Sequence, residues 1–246
     1  MEQKIFFSII TPVLNNSKIK DVFSCLKKQT FKNFEHIVVD GGSNKRVLKI
    51  LNKNKKNISN LIIEKDKGIY DAINKGIKLS RGNVIGVLNS DDIYYPKTLE
   101  LVNKYFLNKK IDYLFGSVFK ERLMHGFWPN KIWYKFNVYP AHSCGFFLKK
   151  KIHKKLGLYD LNFKYNSDRD LIFRLINSNY KGTSAKKYEI FGDFSPFGIS
   201  SKISFFKGLG EEIKVRLKNQ NFIIVFFVMI LTLVNKLANL IFKKYL

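Results

Sequence analysis

Cysteine is scarce in this chain of 246 residues, which contains only Cys25 and Cys144. Two cysteines can form neither a disulfide framework nor a four-ligand zinc site, so disulfide-stabilised secreted domains and zinc modules are excluded. The N-terminus also lacks a basic segment followed by a long apolar stretch, which predicts no secretory signal peptide. We therefore expect a protein of the reducing cytoplasm.

Acidic residues are few: 19 Asp and Glu stand against 44 Lys and Arg, and the formal net charge is +25. Such an excess favours anionic partners, namely nucleic acid, acidic lipid or phosphate-bearing substrates. Hydrophobic residues make up 46% of the chain and aromatic residues 15%, which excludes a disordered protein. The composition also meets the crudest criteria for a nucleic-acid-binding domain, although we recognise no nucleic-acid motif.

Two phosphate-binding fingerprints are missing. There is no Walker A sequence, and no G-x-G-x-x-G follows the first predicted strand, so ATP hydrolysis and NAD binding are disfavoured.

A long membrane-spanning run is missing as well. The apolar run Phe222–Val234 has 13 residues, which is short of the ~20 that a spanning helix needs.

The first half of the chain alternates between short apolar runs and segments with helical spacing. The predicted strands are Ile5–Val13, His36–Val39, Leu61–Glu64, Val84–Leu88 and Tyr113–Phe119, and the predicted helices are Lys18–Gln29, Arg46–Leu51, Tyr70–Leu79 and Pro96–Leu107. Strands that alternate with helices across short connections indicate an α/β domain with a Rossmann-like, mostly parallel sheet flanked by helices.

The C-terminal part of the chain changes character. Residues 1–200 are predicted to form the α/β domain, and residues 201–246 a separate helical segment. In that segment, Ser204–Asn219 is basic and amphipathic, and the apolar run follows it. We expect this segment to lie in a membrane interface; a helix that packs on the core is the alternative.

Carboxylates cluster just after the predicted strands. Asp40 follows the second strand, Asp66 the third, and the pair Asp91 and Asp92 the fourth. Ligands of open α/β sheets bind beyond the carboxyl ends of the strands. The sequence therefore predicts one site lined by these acids.

The pair in Asn89–Asp92 could hold a hard divalent cation, which takes its other ligands from water and substrate phosphates. Such a cation would neutralise a diphosphate leaving group. The alternative is a turn that leads into the helix at Pro96. Two other segments could contact a ligand. For Asp66–Gly76 the structural alternative is an Asx-turn and a helix ended by glycine. For Asp40–Ser43 the structural alternative is a simple turn.

Four segments, in their order and spacing, resemble the family-2 glycosyltransferases of GT-A fold. They are Ser8–Asn15 (SIITPVLN), Val38–Ser43 (VVDGGS), Asp66–Gly76 (DKGIYDAINKG) and Leu88–Asp92 (LNSDD). The resemblance extends roughly from Ser8 to Leu175. It is closest to the branch that adds sugars in bacterial surface-polysaccharide and O-antigen assembly.

The resemblance implies a role for each matching position. Residues implied in nucleotide-sugar binding are Thr11, Pro12, Asn15, Asp40, Gly42, Asp66, Gly68, Asp71, Asn74, Lys75, Asn89, Ser90 and Asp91. Thr11 and Pro12 would line the base pocket, and Asp40 would accept the N3 hydrogen of uracil or thymine. Asp92, with Asp91 and His142, would hold Mg²⁺ or Mn²⁺.

The implied catalytic base is Asp168, where Ser167 replaces the glutamate that usually precedes it. A carboxylate at a helix start can deprotonate an acceptor hydroxyl, although an Asp there can also be only a helix N-cap. Asp170 is the second candidate on the acceptor side. Trp128 could stack on a sugar face, with core or lid packing as the alternative.

These residues predict an inverting, metal-dependent glycosyltransferase that uses a nucleotide-diphosphate sugar, with UDP as the expected nucleotide. The expected acceptor is a polyprenyl-diphosphate-linked or other saccharide, reached from the inner face of the cell membrane. A nucleotidyltransferase of similar α/β fold, which would release pyrophosphate, is one alternative. A nucleic-acid-binding domain is the other, although a rim of carboxylates without metal would repel phosphate.

Overall fold

The computed structural model describes residues 5–132, 139, 143–196, 204–231 and 234. The strands are β1 Phe7–Val13, β2 Phe34–Asp40, β3 Asn60–Ile63, β4 Val84–Val87, β5 Ile93–Tyr94, β6 Tyr113–Phe115, β7 Ser117–Lys120, β8 Arg122–Met124, β9 Phe146–Lys149, β10 Gly182–Ser184 and β11 Ile190–Asp193. The helices are α1 Ile19–Lys27, α2 Lys45–Lys53, α3 Ile69–Leu79, α4 Thr98–Asn108, α5 Lys150–Leu156, α6 Ser167–Asn177 and α7 Phe205–Asn219, followed by α8 over residues 222–231.

The main sheet has seven strands in the order β10-β6-β9-β4-β1-β2-β3. Strand β9 runs antiparallel to both of its neighbours, whereas the other pairs are parallel. Strand β1 is buried along its whole length, as expected of a parallel strand covered on both faces. The predicted mostly parallel α/β sheet is confirmed.

The register of the central strands brings their carboxyl ends to one edge of the sheet. Val13 at the end of β1 lies opposite Asp40 at the end of β2, and Ile10 of β1 lies opposite Val87 at the end of β4. The loops that follow these strands, which carry the predicted acids, therefore leave the sheet at neighbouring positions.

A second sheet, β5-β11-β7-β8, stands beside the first. The single predicted strand Tyr113–Phe119 is in fact two strands, β6 and β7, which are separated by Gly116 and belong to different sheets. A Cβ atom at Gly116 would overlap the ring of Phe191. Only glycine allows this close approach where the chain passes between sheets.

The core consists of two main apolar clusters, one on each face of the large sheet. The first contains buried side chains of α1, α2 and α4, and the second contains those of α3, α5 and α6. Cys25 and Cys144 are buried free thiols, and burial raises the pKa of Cys25 to about 11. Both act as small core residues rather than as nucleophiles.

Helix α7, in the predicted C-terminal segment, packs on α6 of the α/β domain. Val215 joins Phe173 of α6, together with Ile132 and Phe163, in a third apolar cluster. Glu212 and Arg216 of α7 form a buried ion pair with N···O 2.7 Å. Within the described residues, no helix is both long enough and apolar enough to cross a membrane.

Candidate functional site

Asp40 ends β2, and its carboxylate is fully buried. The two carboxylate oxygens differ in their hydrogen bonding. Oδ2 accepts a hydrogen bond from the Ser43 backbone N–H at 3.0 Å. Oδ1 has no hydrogen-bond partner among the described residues. Because an unsatisfied buried acceptor is costly, this oxygen is suited to receive a donor from a ligand.

The end of β1 is held to the loop after β2. The backbone N–H of Asn15 donates to Ser43 Oγ at 2.8 Å, and its side-chain Oδ1 accepts from Asn44 N–H at 2.8 Å. Asn15 has φ 54°, a left-handed conformation that asparagine tolerates. Its polar groups thus join two loops of the site.

Thr11 and Pro12, the predicted base-pocket residues, are both buried in β1. Thr11 Oγ1 lies 2.9 Å from His36 Nε2 on the neighbouring strand. Burial lowers the pKa of His36 to about 4, so its imidazole is neutral at physiological pH.

Asp66 lies against the Asp40 loop. Its Oδ1 accepts from the Gly68 N–H at 2.9 Å, and a Cβ on Gly41 would overlap the Asp66 carboxylate. Gly42 and Gly68 have φ 94° and 123°, which favour glycine. The structure therefore brings the Asp40 and Asp66 segments together, as predicted.

Asp71 and Lys75 contact the loop that carries Asp66. Asp71 Oδ2 accepts from the Lys67 N–H at 3.0 Å, while Lys75 Nζ lies 3.4 Å from Asp71 and 2.9 Å from Glu64. A hydrogen bond from Lys75 to Glu64 is the main reason that the pKa of Lys75 is raised. These contacts hold the loop, and the contact of Asp71 and Lys75 with a nucleotide sugar stays a prediction.

Asn74, also predicted to bind the nucleotide sugar, is buried in α3. It donates from Nδ2 to the Tyr159 carbonyl at 2.8 Å and accepts at Oδ1 from the Tyr159 N–H at 3.0 Å. These bonds attach α3 to the segment before α6. The described contacts of Asn74 are therefore structural, and its binding role stays a prediction.

Asp92 is only 1% exposed and is oriented by two donors. Oδ1 accepts from the Ser195 N–H and Oδ2 from the Ser143 hydroxyl, each at 2.9 Å. Burial, assisted by the charge of Asp91, raises the pKa of Asp92 to about 7. A cation beside this carboxylate would favour its ionised form.

The donor set around Asp92 fits a hard cation held jointly with substrate. Asp91 is half-buried, Ser90 is buried, and the buried Oδ1 of Asn89 has no hydrogen-bond partner among the described residues. Mg²⁺-like ions need few protein oxygens, since water and phosphate supply the rest. No group of three or more His, Cys, Asp or Glu suited to hold a metal occurs in the described part of the chain, and the predicted ligand His142 lies outside it.

Asp168 occupies the first turn of α6 and is 8% exposed. The Tyr70 hydroxyl donates to its Oδ1 at 2.7 Å, and the Tyr139 hydroxyl donates to its Oδ2 at 2.9 Å. Burial first, and then the charge of Asp168, raise the pKa of both phenols well above the ordinary value. The tyrosines therefore remain donors and stabilise an ionised, oriented carboxylate.

Asp170 has different neighbours from Asp168. It is fully buried, pairs with Arg174 and Lys218 at 2.8 Å each, and accepts from Asn219 Nδ2 at 2.9 Å. Two of these partners belong to α7. Its described contacts thus lie at the α6–α7 junction, which makes Asp168 the better placed of the two for base chemistry.

Trp128 remains partly open to solvent. Its side chain is 38% exposed, and its ring packs over Gly126, where a Cβ would overlap it. Lys131 Nζ lies 5.8 Å from the ring centroid. An exposed indole face suits stacking on a sugar, and the acceptor contact stays a prediction.

Sequence reasoning missed the residues that orient the carboxylates. Tyr70 lies within the segment DKGIYDAINKG and could have been singled out there. Tyr139 and Ser143 follow the last predicted strand, Tyr113–Phe119, and lie outside the four segments that carry the family resemblance. Ser195 stands 103 residues after Asp92, and no local spacing relates the two.

A mostly parallel sheet with an acid-lined carboxyl edge, and a further carboxylate at the start of α6, is the architecture of the α/β proteins of GT-A type. The chain belongs to glycosyl transferase family 2, whose sequence model matches residues 8–177. An uncharacterised glycosyltransferase of Rickettsia prowazekii is 30% identical over 194 residues, covering 71% of this chain and 60% of that protein. A PGL/p-HBAD biosynthesis glycosyltransferase of Mycobacterium bovis is 28% identical over 204 residues, covering 77% of this chain and 78% of that protein.

Solved structures show the same fold at low identity. S. aureus TarS 1–349, in complex with UDP-GlcNAc, aligns with a TM-score of 0.70 at 17% identity over 88% of this chain and 68% of that one. The mannosyltransferase PcManGT of Pyrobaculum calidifontis, in complex with GDP-Man and Mn²⁺, aligns with a TM-score of 0.64 at 12% identity, over 89% of this chain and 66% of that one. These likenesses support the GT-A architecture.

Proposed function

We propose that this protein transfers a sugar from a UDP-sugar to a hydroxyl of a saccharide acceptor, with inversion at the anomeric carbon. The observation that carries the proposal is that Asp40 at the end of β2 lies at the same edge of the sheet as the loops with Asp66 and Asp92. The buried Oδ1 of Asp40 has no hydrogen-bond partner among the described residues. Solved neighbours hold a UDP-sugar in one case and a GDP-sugar in another. The choice of UDP rests on the Asp40 oxygen, which can accept the N3 hydrogen of uracil.

Asp168 acts as the general base in this proposal. Its carboxylate takes the proton of the acceptor hydroxyl, the acceptor oxygen forms a bond to the anomeric carbon, and the bond from that carbon to the diphosphate breaks. The nucleoside diphosphate leaves on the opposite face, so a single displacement inverts the centre. Tyr70 and Tyr139, which donate to the two oxygens of Asp168, keep the base oriented.

Asp92, together with Asp91, would hold Mg²⁺ or Mn²⁺ beside the diphosphate. A bound cation of this kind neutralises the charge that develops on a leaving phosphate. Ser143 and Ser195 position the Asp92 carboxylate. The carboxylate is therefore in place before donor and cation arrive.

The acceptor in this proposal is a lipid-linked saccharide in surface-polysaccharide assembly, and the protein is cytoplasmic and peripheral at the membrane. Helix α8 supports this because it exposes a run of large apolar side chains: Phe222, Ile223, Phe226, Phe227, Ile230 and Leu231. Helices with such faces lie in membrane interfaces. The net charge of +25 would add attraction to anionic lipid.

The test is calorimetry with UDP, GDP and ADP, with and without Mn²⁺, followed by product analysis with UDP-sugars. We expect UDP to bind most tightly and only with Mn²⁺ present, and the reaction to release UDP and an inverted glycoside. Release of pyrophosphate would indicate nucleotidyl transfer instead. Salt-sensitive binding of RNA or DNA, without binding of nucleoside diphosphates, would also contradict the proposal.

A further inference from the structure

Helix α7 lies beyond the family-matched residues 8–177, yet it contacts the segment that leads to Asp168. The Glu211 carboxylate accepts three consecutive backbone N–H groups, those of Lys164 at 2.7 Å, Tyr165 at 2.6 Å and Asn166 at 2.8 Å. Asn166 is the last residue before α6, and Asp168 is the second residue of that helix. One carboxylate of α7 thus holds the peptide units just ahead of the proposed base.

A continuous set of contacts leads from Glu211 to Asp168. The peptide unit that joins Tyr165 to Asn166 donates its N–H to Glu211 and presents its carbonyl oxygen to the Tyr70 hydroxyl at 2.9 Å. The same hydroxyl lies 2.7 Å from Asp168 Oδ1. Since one hydroxyl has one hydrogen, the position of this peptide decides how Tyr70 divides its bond between the carbonyl and Asp168.

Neighbouring contacts fix α7 against α6. Glu212 pairs with Arg169, the residue after Asp168, at 3.1 Å, and with Arg216 at 2.7 Å. The N-cap residue of α6 makes no side-chain capping bond of its own. Glu211 therefore holds the residues just ahead of α6, and Glu212 holds its first turn through Arg169. Charge-assisted bonds of this kind are the stronger class.

We propose that Glu211 is a positioning residue for the catalytic base: it holds the 165–166 peptide so that Tyr70 and Asp168 keep their reactive geometry. This inference rests on the proposed function, in which Asp168 is the base. It extends the catalytic unit to α7, outside the region that the family shares. The apolar helix α8, which follows α7 directly, is thereby joined in sequence to an element that supports the base.

The test compares Glu211→Ala and Glu211→Gln with Asp160→Asn as a matched control. The control removes an ion pair to Lys218 of α7 but leaves the three N–H donors of Glu211 in place. We expect Glu211→Ala to lower kcat by about 10- to 100-fold, the scale of a small misplacement of a reacting group. The KM for the donor and the affinity for UDP should stay unchanged. Glu211→Gln, which keeps one acceptor oxygen, should retain an intermediate kcat, and the control should stay within about twofold of wild type.

The pH profile of kcat distinguishes a positioning role of Glu211 from a loss of folded protein. Partial unfolding would scale kcat equally at all pH values, whereas a displaced Tyr70 changes the apparent pKa of the acidic limb of kcat. We expect that limb to shift in Glu211→Ala, at a temperature where its far-UV spectrum matches wild type. An unshifted limb with unchanged kcat would overturn the proposal, as would a loss confined to donor KM.

Asp168→Asn, measured in parallel, separates failure of this inference from failure of the proposed function. If Asp168→Asn abolishes turnover while Glu211→Ala does not lower it, Asp168 stands as the base and Glu211 has no positioning role. If Asp168→Asn keeps full turnover, the base assignment itself is wrong, and the Glu211 proposal falls with it. A double variant no slower than Asp168→Asn alone would support action through the same group.

Discussion

At the scale of single residues, Asp40 has one oxygen occupied by the protein and one without a partner in the described part of the chain. In Asp40→Asn, the amide oxygen would have to face the Ser43 N–H, so the amide NH₂ would point where the Asp40 Oδ1 now lies. That NH₂ would oppose the N3–H of uracil, donor against donor. We expect UDP affinity to fall by about 1–3 kcal/mol, or roughly 5- to 150-fold in Kd.

Calorimetry of UDP binding measures this loss. Asp21→Asn in α1 serves as a control of the same chemistry, because no nucleotide role is assigned to it, and it should bind UDP as wild type does. Unchanged affinity in Asp40→Asn would remove the uracil contact from the proposal.

Asp92 is the carboxylate proposed to hold the cation. Asp92→Asn keeps the side-chain shape and one acceptor oxygen but removes the buried charge that would hold a cation. Cation stabilisation of a leaving phosphate amounts to several kcal/mol, so turnover should fall by at least about 100-fold. The dependence of UDP binding on Mn²⁺ should also disappear. Titration of Mn²⁺ in the presence of UDP, with thermal unfolding as a folding check, decides this. Wild-type metal dependence in the variant would contradict the role.

At the scale of elements, α7 and α8 differ although the sequence joins them in one C-terminal segment. Helix α7 packs on α6 through Val215 and the Glu212–Arg169 ion pair. Helix α8 buries Val225 and Val228 but leaves Phe226 and Phe227 55% and 59% exposed. A deletion that removed both helices would therefore mix membrane binding with support of α6, and a test of membrane binding should alter α8 alone.

We expect Phe226→Ser combined with Phe227→Ser to weaken membrane binding and leave turnover on a soluble acceptor unchanged. Burial of each phenylalanine in lipid contributes about 1.5–3 kcal/mol to the free energy of membrane binding. The double variant should therefore stay in the supernatant when vesicles are sedimented. Co-sedimentation with vesicles containing anionic lipid measures it. Phe119→Ser in β7, where Phe119 is 44% exposed, is the control and should bind as wild type does. Equal binding by all three proteins would indicate that α8 does not face lipid.

At the scale of the whole molecule, two buried histidines connect stability to pH. Burial is the main cause that lowers the pKa of His36 and of His153 to about 4 each. In the unfolded chain a histidine titrates near ~6.5. Between these values the unfolded state binds more protons, so stability is lost as pH falls from about 6.5 and the loss is complete near pH 4.

The expected destabilisation is on the order of a few kcal/mol. Urea unfolding at pH 7 and pH 5 measures it in wild type and in the double variant His36→Gln, His153→Gln. The variant should be less stable at pH 7 because of altered packing, but it should lose less stability than wild type between the two pH values. An identical loss in both proteins would assign the acid sensitivity to other groups.

Part of this architecture could be predicted from the chain alone because its signals are local. The apolar run of β1 and the helical spacing of α1 and α3 depend on periodicity over a few residues. The acids at the end of β2 and after β4 directly follow such apolar runs. The strands β10 and β11 could not be predicted, because they are short and owe their pairing to distant partners. Gly116 divides a strand because Phe191 occupies the space of a side chain, and no local pattern encodes that contact.

The α/β class, the order of the motifs and the types of residue available for chemistry follow from the chain alone, since they depend on local spacing and side-chain identity. The neighbours of each carboxylate, by contrast, come from the way the chain folds. Asp168 meets two tyrosines, Asp170 meets α7, and Asp92 is held by Ser143 and Ser195. The reason is physical: burial and hydrogen bonding set the orientation and charge of a carboxylate, and both come from residues far away along the chain.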